Sequence, residues 1–326
     1  MTSLTGRPFL GTLPWIPGLG LDGEDSLALD APRPVKPPLG RDVLSVAVAR
    51  LGRISNFTDF DALAHEPGVS VRFTGSAEEI LDADLAVLPG TKATVEDLKL
   101  LRSRGIDRAF AERAKRALPT LGICGGYQML GRRIEDGVES GEAEVLGLGL
   151  LPVETSFEVE KMLGRPQGWA LGFGSAEVTG YEIHHGRVRR EGGDPLFDTV
   201  EGTEGCRSGA TLGTSWHGIL ESDGFRRALL LWVTEERGLD WKPGDMPFAA
   251  AREAQLEKLG NLVADHIDRE ALLRLIDEGR PSGLPVIGLQ ARGYKPQEGN
   301  GDRLLTGTAE PVGLPPNAPV NLKAET

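Results

Sequence analysis

Cys124 has the clearest chemical potential of any residue in this chain. It stands in Leu121-Gly122-Ile123-Cys124-Gly125-Gly126-Tyr127-Gln128, where an apolar strand, Pro119 to Ile123, runs straight into the cysteine. Two glycines follow, then Tyr127-Gln128-Met129-Leu130, which reads as the start of a helix. Strand, sharp turn and helix together make a nucleophile elbow, which exposes one reactive side chain. Glycine lets neighbouring backbone approach, and a helix N-terminus favours thiolate over thiol. A thiolate so placed can attack an amide or thioester carbonyl. The competing reading is a small buried core residue, as free cysteines usually are.

A cysteine nucleophile needs a base that works near neutral pH, and histidine is the usual choice. His217, in Gly213-Thr214-Ser215-Trp216-His217-Gly218-Ile219-Leu220, ends a short β-type run and is released by a glycine. Such partners meet in space, so its distance along the chain is no objection. Pro89-Gly90-Thr91-Lys92 follows another buried strand. Backbone N–H groups near Gly90, with that of Gly125, suit an oxyanion hole; a plain strand-ending turn is the alternative.

Three further segments carry hydrogen-bonding or charged groups. Arg50-Leu51-Gly52-Arg53-Ile54-Ser55-Asn56-Phe57-Thr58-Asp59-Phe60 follows the first strand. Its arginines suit an anionic substrate or a docked domain, and Ser55, Asn56 or Thr58 could equally cap a helix. Tyr181-Glu182-Ile183-His184-His185-Gly186 places two histidines side by side on a strand. Strand neighbours point to opposite faces, so they make a poor metal pair and suit substrate or interface contact better. Cys206 lies in a polar, glycine-rich segment with no strand pattern and is read as incidental.

The elements that must position these groups read as α/β from residue 41 onward. Leu44 to Arg50, Val69 to Phe73, Leu85 to Leu88 and Thr120 to Ile123 are short apolar strands. Between them, Asn56 to Leu63 could start a helix, while Thr94 to Arg104 and Ile106 to Leu118 have helical spacing. That alternation predicts a doubly wound, mostly parallel sheet, with sites where strand C-termini open into loops. After residue 140 the pattern turns to β, with Val145 to Glu154, Ala176 to Ile183 and Thr211 to Ser215 as strands. Phe225 to Val233 is a short apolar run, and Glu253 to Ile267 and Ala271 to Glu278 are helical.

The ends differ from this body. Residues 1–40 read as an appended segment with a proline-rich linker, residues 41–278 as one domain, and 279–326 as a disordered tail rich in Gly and Pro. The 326 residues can bury a sizeable core, and 40% hydrophobic with 26% charged residues is ordinary for a soluble protein. A net charge of −12 argues against nucleic-acid or anionic-membrane partners. No apolar run has the length of a membrane span, and the first residues lack a signal-peptide pattern. Two cysteines without CxxC spacing make a disulfide framework or a zinc–thiolate site a poor fit and suit a reducing cytoplasm. No G-x-x-x-x-G-K-[ST] phosphate loop is present.

Taken together, these segments resemble the C-terminal glutamine amidotransferase half of the cobyric acid synthase family. The elbow alone indicates a class I glutaminase; Arg53-Ile54-Ser55-Asn56-Phe57-Thr58-Asp59-Phe60 with Tyr181-Glu182-Ile183-His184-His185-Gly186 narrows it. The resemblance covers roughly residues 6–278. It implies a flavodoxin-like fold of the class I glutamine amidotransferase kind, with added β segments and C-terminal helices. It implies ATP-dependent amidation of corrin-ring carboxylates, with glutamine as the ammonia source. Cys124 would be the nucleophile and His217 its base, then the acid that protonates departing ammonia. Gly90, Thr91, Gly125 and Gln128 would hold the oxyanion and glutamine. Arg53, Asn56, Tyr181, Glu182 and His184 would contact substrate or a partner.

The match also departs from the family. Its members carry an N-terminal ATP-binding synthetase domain, of which residues 6–30 resemble only the final piece. ATP and magnesium are therefore expected in a synthetase half outside this chain, for which a separate subunit is one candidate, and no cofactor is expected in the chain itself. Ser215-Trp216 stands where an aromatic and an aliphatic residue are usual. Many class I glutaminases have a glutamate two residues after the histidine; here that position is Ile219, so the third catalytic member is unassigned. Two other readings stay open: a glutaminase subunit feeding a separate ligase, as in amidation of lipid-linked cell-wall precursors, and a remnant that binds without catalysing.

Overall fold

The computed structural model describes residues 7–16 and 35–279. The expected linker core and the tail from 280 lie outside them. The chain divides into two compact units, Gly11–Arg269 and a smaller one drawn from Met1–Leu10 and Glu270–Thr326. Among the described residues the smaller unit holds 7–10 and 270–279.

The large unit begins with β1 (Leu44–Ala49), a 3-10 turn (Phe57–Phe60), α1 (Asp61–His65), β2 (Val69–Thr74), α2 (Ala77–Asp82) and β3 (Leu85–Leu88). It continues with α3 (Thr94–Ser103), α4 (Ile106–Lys115), β4 (Thr120–Ile123) and α5 (Gly125–Leu130). Then come β5 (Arg133–Asp136), β6 (Glu142–Leu146), β7 (Val153–Gly164), β8 (Gln167–Ala170), β9 (Glu177–Thr179) and β10 (Glu182–Arg190). The last part holds β11 (Phe197–Thr199), β12 (Gly202–Glu204), β13 (Cys206–Ser208), β14 (Thr211–Thr214), a 3-10 turn (Ile219–Glu221), α6 (Asp223–Arg237) and α7 (Phe248–His266). α8 (Arg269–Glu278) runs on into the smaller unit.

The main sheet has the order β13-β14-β4-β3-β1-β2, parallel except for the antiparallel edge strand β13. Its strands alternate between two cores. Val46, Val48, Leu85, Val87, Leu121 and Ile123 pack on one face, while Ala47, Ala49, Ala86 and Leu88 pack on the other. Burial on both faces is what a parallel sheet requires, and it explains why these strands are continuously apolar. The chain leaves β1 for β2 on one side and returns to β3 on the other, so the strand order reverses between β1 and β3. That reversal opens a crevice at the strand C-termini. The loops after β1, β3 and β4 all end there.

Two four-stranded sheets, β10-β7-β5-β6 and β12-β11-β8-β9, are inserted between α5 and β13. They account for the β texture after residue 140. One sequence reading gains its element here and two need correction. Phe225 to Val233 is the middle of α6, where Phe225, Leu229, Leu230 and Val233 form one buried helical stripe. α7 starts at Phe248, ahead of the Glu253 expected from periodicity, because Phe248 itself packs into the core. Cys206 opens the edge strand β13 and is fully buried, since its pairing with Gly213 is set by a distant strand rather than by local pattern.

Candidate active site

Cys124 sits between β4 and α5 with φ 49° and ψ −112°. A non-glycine residue there is strained by roughly 1–3 kcal/mol and persists only where its surroundings force it. Its N–H donates to Thr214 O at 2.8 Å, and its carbonyl accepts the Gln128 N–H at 3.0 Å. The glycines are explained by contact distance. A Cβ on Gly126 would fall 1.8 Å from Leu88 O, and one on Gly122 would fall 2.9 Å from the Tyr127 backbone nitrogen. α5 can therefore lie against β3 and β4 only with bare backbone at both places.

His217 completes the pair and brings an unanticipated third residue. Its ring is hydrogen-bonded to Cys124 on one side and, through Nδ1, to Asp59 Oδ2 at 2.7 Å on the other. Asp59 Oδ1 accepts the Gly218 N–H at 2.9 Å, so both carboxylate oxygens are used. His217 is 1% exposed and Asp59 3%. Burial pushes the imidazole pKa down, but the hydrogen bonds and charges of Asp59 and Cys124 outweigh it and raise it to about 10. The ring is thus held as imidazolium. Tyr181 stacks on it with centroids 5.3 Å apart, and the two backbones exchange hydrogen bonds of 2.9 and 3.0 Å.

The loops after β1 and β3 are joined beside this pair. Ser55 N–H donates to Gly90 O at 2.9 Å, and Lys92 N–H to Arg53 O at 3.1 Å. Buried Asp97 on α3 accepts the Gly52 N–H at 2.7 Å, the Arg53 N–H at 3.2 Å and the Thr91 hydroxyl. Gly90 lies edge-on to the imidazole, because a Cβ there would be 2.6 Å from His217 Cε1. A pocket of about 440 Å³ opens in front. Thr91, Thr94, Cys124, Gln128, Phe157, Lys161, His184 and His185 are among the residues that line it. A cysteine–imidazolium pair backed by a carboxylate, with the cysteine lining such a pocket, can add to a carbonyl and protonate the leaving group.

Residues 45–225 match the model of the CobB/CobQ-like glutamine amidotransferase domain. The cobyric acid synthase of Streptomyces avermitilis is 52% identical over 293 residues, covering 88% of this chain and 57% of that protein. The chain belongs to the cobyric acid synthase family. The Rhodococcus jostii cobyric acid synthase is 52% identical over 294 residues, with 88% of this chain and 57% of that protein covered. The chain therefore spans a little over half the length of the curated relatives it matches. A solved structure described as a glutamine amidotransferase aligns with 60% of the chain and 99% of its own, at 22% identity and a TM-score of 0.45.

Against the cobyric acid synthase resemblance, Cys124, His217, Gly90, Thr91, Gly125 and Gln128 come together at one end of the main sheet. Gln128 Oε1 accepts from the Thr94 hydroxyl at 3.3 Å, and Gly186 lies against its amide nitrogen. Asn56 and His184 line the pocket, and Tyr181 stacks on His217. Glu182 Oε1 lies 3.5 Å from His184 Nε2. Arg53 has an exposed side chain, and its backbone does the bonding. No side chain caps the 3-10 turn at Phe57; Asn56 precedes it in the left-handed region instead.

The argument from strand alternation fails at His184 and His185. Register shifts between His184 and Gly186, so residues 158–161 of β7 oppose His185 alone, and both histidines line the pocket. Asp59 is the functional residue that sequence reasoning missed. It lies within the Arg50–Phe60 run, but no spacing relates it to His217.

Proposed function

We propose that this chain hydrolyses glutamine through a thioester on Cys124 and supplies the ammonia for ATP-dependent amidation of corrin carboxylates in cobalamin biosynthesis. The observation that carries the reading is the Cys124–His217–Asp59 relay at the base of the pocket. The Cys124 thiolate adds to the side-chain amide carbon, and the oxyanion accepts from the N–H groups of Gly90 and Gly125. His217 gives its Nε2 proton to the leaving nitrogen, so ammonia departs and a glutamyl thioester remains. Neutral His217 then takes a proton from water as it attacks the thioester. Collapse releases glutamate and restores thiolate and imidazolium. Asp59 holds Nδ1–H throughout and balances the imidazolium charge.

Gln128 and Thr91 shape the wall that holds glutamine, with Asn56, Tyr181, Glu182 and His184 as further contacts. Arg53, exposed beside the mouth, suits contact with a corrinoid or with the synthetase portion. ATP and magnesium belong to that portion, on the same reading, because the longer relatives extend beyond what this chain spans. Among the described residues, no group of three or more His, Cys, Asp or Glu could hold a metal ion. No described helix is long and apolar enough to cross a membrane. The cytoplasm is our reading for the reaction, since two free cysteines suit a reducing compartment.

The test is glutamate release from glutamine by the chain and by Cys124→Ala, alone and with a synthetase portion, ATP and a corrinic acid. The reading predicts Cys124-dependent release, a fall of at least ~10³-fold in the variant, and corrin amidation only in the complete mixture. A folded protein with no Cys124-dependent release in any mixture would refute it.

A further inference from the structure

The turn after β14 serves both halves of the relay. Thr214 O accepts the Cys124 N–H, and His217 follows shortly after, its backbone paired with Tyr181. What fixes the residues between is Glu204, at the end of β12. Glu204 Oε2 accepts the Thr214 hydroxyl at 2.7 Å, and Oε1 accepts the Ser215 N–H at 2.7 Å. The Thr214 oxygen in turn accepts the Trp216 N–H at 3.1 Å. Glu204 itself is anchored, since its carbonyl accepts the Leu196 N–H at 3.0 Å.

Glu204 does not line the pocket, and the hydrolysis written above never uses it. It is nonetheless a costly residue to keep there. Burial, helped by the Glu182 charge on β10, pushes its carboxyl up to about 7 against the pull of the Ser215 and Thr214 hydrogen bonds. The other titratable neighbours are Tyr127 on α5 and Cys206 on β13, whose ionisation Glu204 opposes, with Arg190 of β10 acting in the other sense on both. A carboxylate has one property that an amide or hydroxyl lacks: both oxygens accept at once, with no donor to place. This turn presents two donors to it.

We propose that Glu204 is a positioning residue, whose carboxylate sets the Thr214–Trp216 turn so that Cys124 and His217 stay aligned for glutamine hydrolysis. The inference rests on the reading that Cys124 and His217 hydrolyse glutamine. Protonation turns one acceptor into a donor, so the Thr214 hydroxyl loses its acceptor and the turn loosens. Activity therefore falls as pH drops through about 7.

The experiment compares wild type with Glu204→Gln in steady-state glutamine hydrolysis across pH 5–9, with thermal melting alongside. The expected result is a kcat lowered roughly 10–100-fold, the size of effect that a small misplacement produces, with KM little changed. The acidic limb near pH 7 should vanish. Melting should hold or improve at pH 8, because an amide has no charge to bury. A purely structural role would instead lower melting and leave the limb in place, and either wild-type kcat or an unchanged limb overturns the proposal. Should Glu204→Gln not fold, Thr214→Val removes the donor instead and must reproduce the kcat loss. Should wild type show no Cys124-dependent hydrolysis at all, the parent reading falls. The rate of Cys124 alkylation by iodoacetamide across pH then decides the inference alone, and equal profiles in wild type and variant reject it.

Discussion

Two buried histidines, one lining the pocket and one bonded to the Cys124 that lines it, are wired in opposite ways. His217, after β14, donates Nδ1–H to the Asp59 carboxylate, whereas His184, on β10, places Nδ1 2.8 Å from the Gly186 carbonyl. A carboxylate can balance a positive ring, whereas a carbonyl fixes the tautomer and carries no charge; the carboxylate beside His184, Glu182 Oε1, instead lies 3.5 Å from its other nitrogen. The far nitrogens differ accordingly. His217 meets Cys124 and is held as imidazolium, while His184 Nε2 is buried without a hydrogen-bond partner. The atom behind the ring, more than its burial, decides whether a histidine can transfer a proton or only receive a hydrogen bond.

The strongest way to break this contrast is Asp59→Asn. Asparagine keeps the shape but can turn its NH₂ toward Nδ1, which selects the wrong tautomer. We expect kcat for glutamine hydrolysis to fall about 10²–10⁴-fold with KM nearly unchanged. Steady-state kinetics checks this, and a loss under tenfold would remove Asp59 from the relay.

A second effect appears in stability. The His217 pKa stands at about 10 in the folded chain against an ordinary 6.5, so the pairing stabilises fully below 6.5. That contribution is lost progressively as pH rises from 6.5 through 10. Urea unfolding from pH 6 to 10 should show the decline in wild type and a flatter curve in Cys124→Ala, where the Cys124 contact to the ring is gone. Parallel curves would mean that Cys124 adds nothing to the imidazolium.

The same contrast shows what local sequence can carry. β1, β3 and β4 were legible because a strand buried on both faces is apolar throughout, and Cys124 and Gly126 because tight backbone contact excludes side chains. His217 was legible from its strand and following glycine. Asp59 was not, because its partner is brought to it by the sheet order alone, and the 3-10 turn that holds it has no side-chain cap to mark it. The pairing of His184 with His185 was misread because alternation presumes an unbroken ladder, and the extra residues 158–161 in β7 are visible only once the strands are paired. Glu204 went unnoticed for a related reason: its partners, Thr214 and Ser215, reach it across a hairpin edge, and nothing in Gly202-Thr203-Glu204 distinguishes a clamp from a polar turn.

The smallest expected effect belongs to His184 itself. With Nδ1 committed to Gly186, Nε2 is buried beside Glu182 Oε1 at 3.5 Å, and the ring forms part of the pocket wall. A wall group of this kind suits a neutral polar group of glutamine. A single neutral hydrogen bond is worth about 0.5–1.5 kcal/mol, so His184→Ala should raise KM for glutamine roughly 2–12-fold and leave kcat within twofold. His217→Ala should do the reverse, cutting kcat with little change in KM. If His184→Ala instead lowered kcat and spared KM, the ring would be acting on the reaction itself, and the division of labour between carbonyl-backed and carboxylate-backed histidines would not hold here.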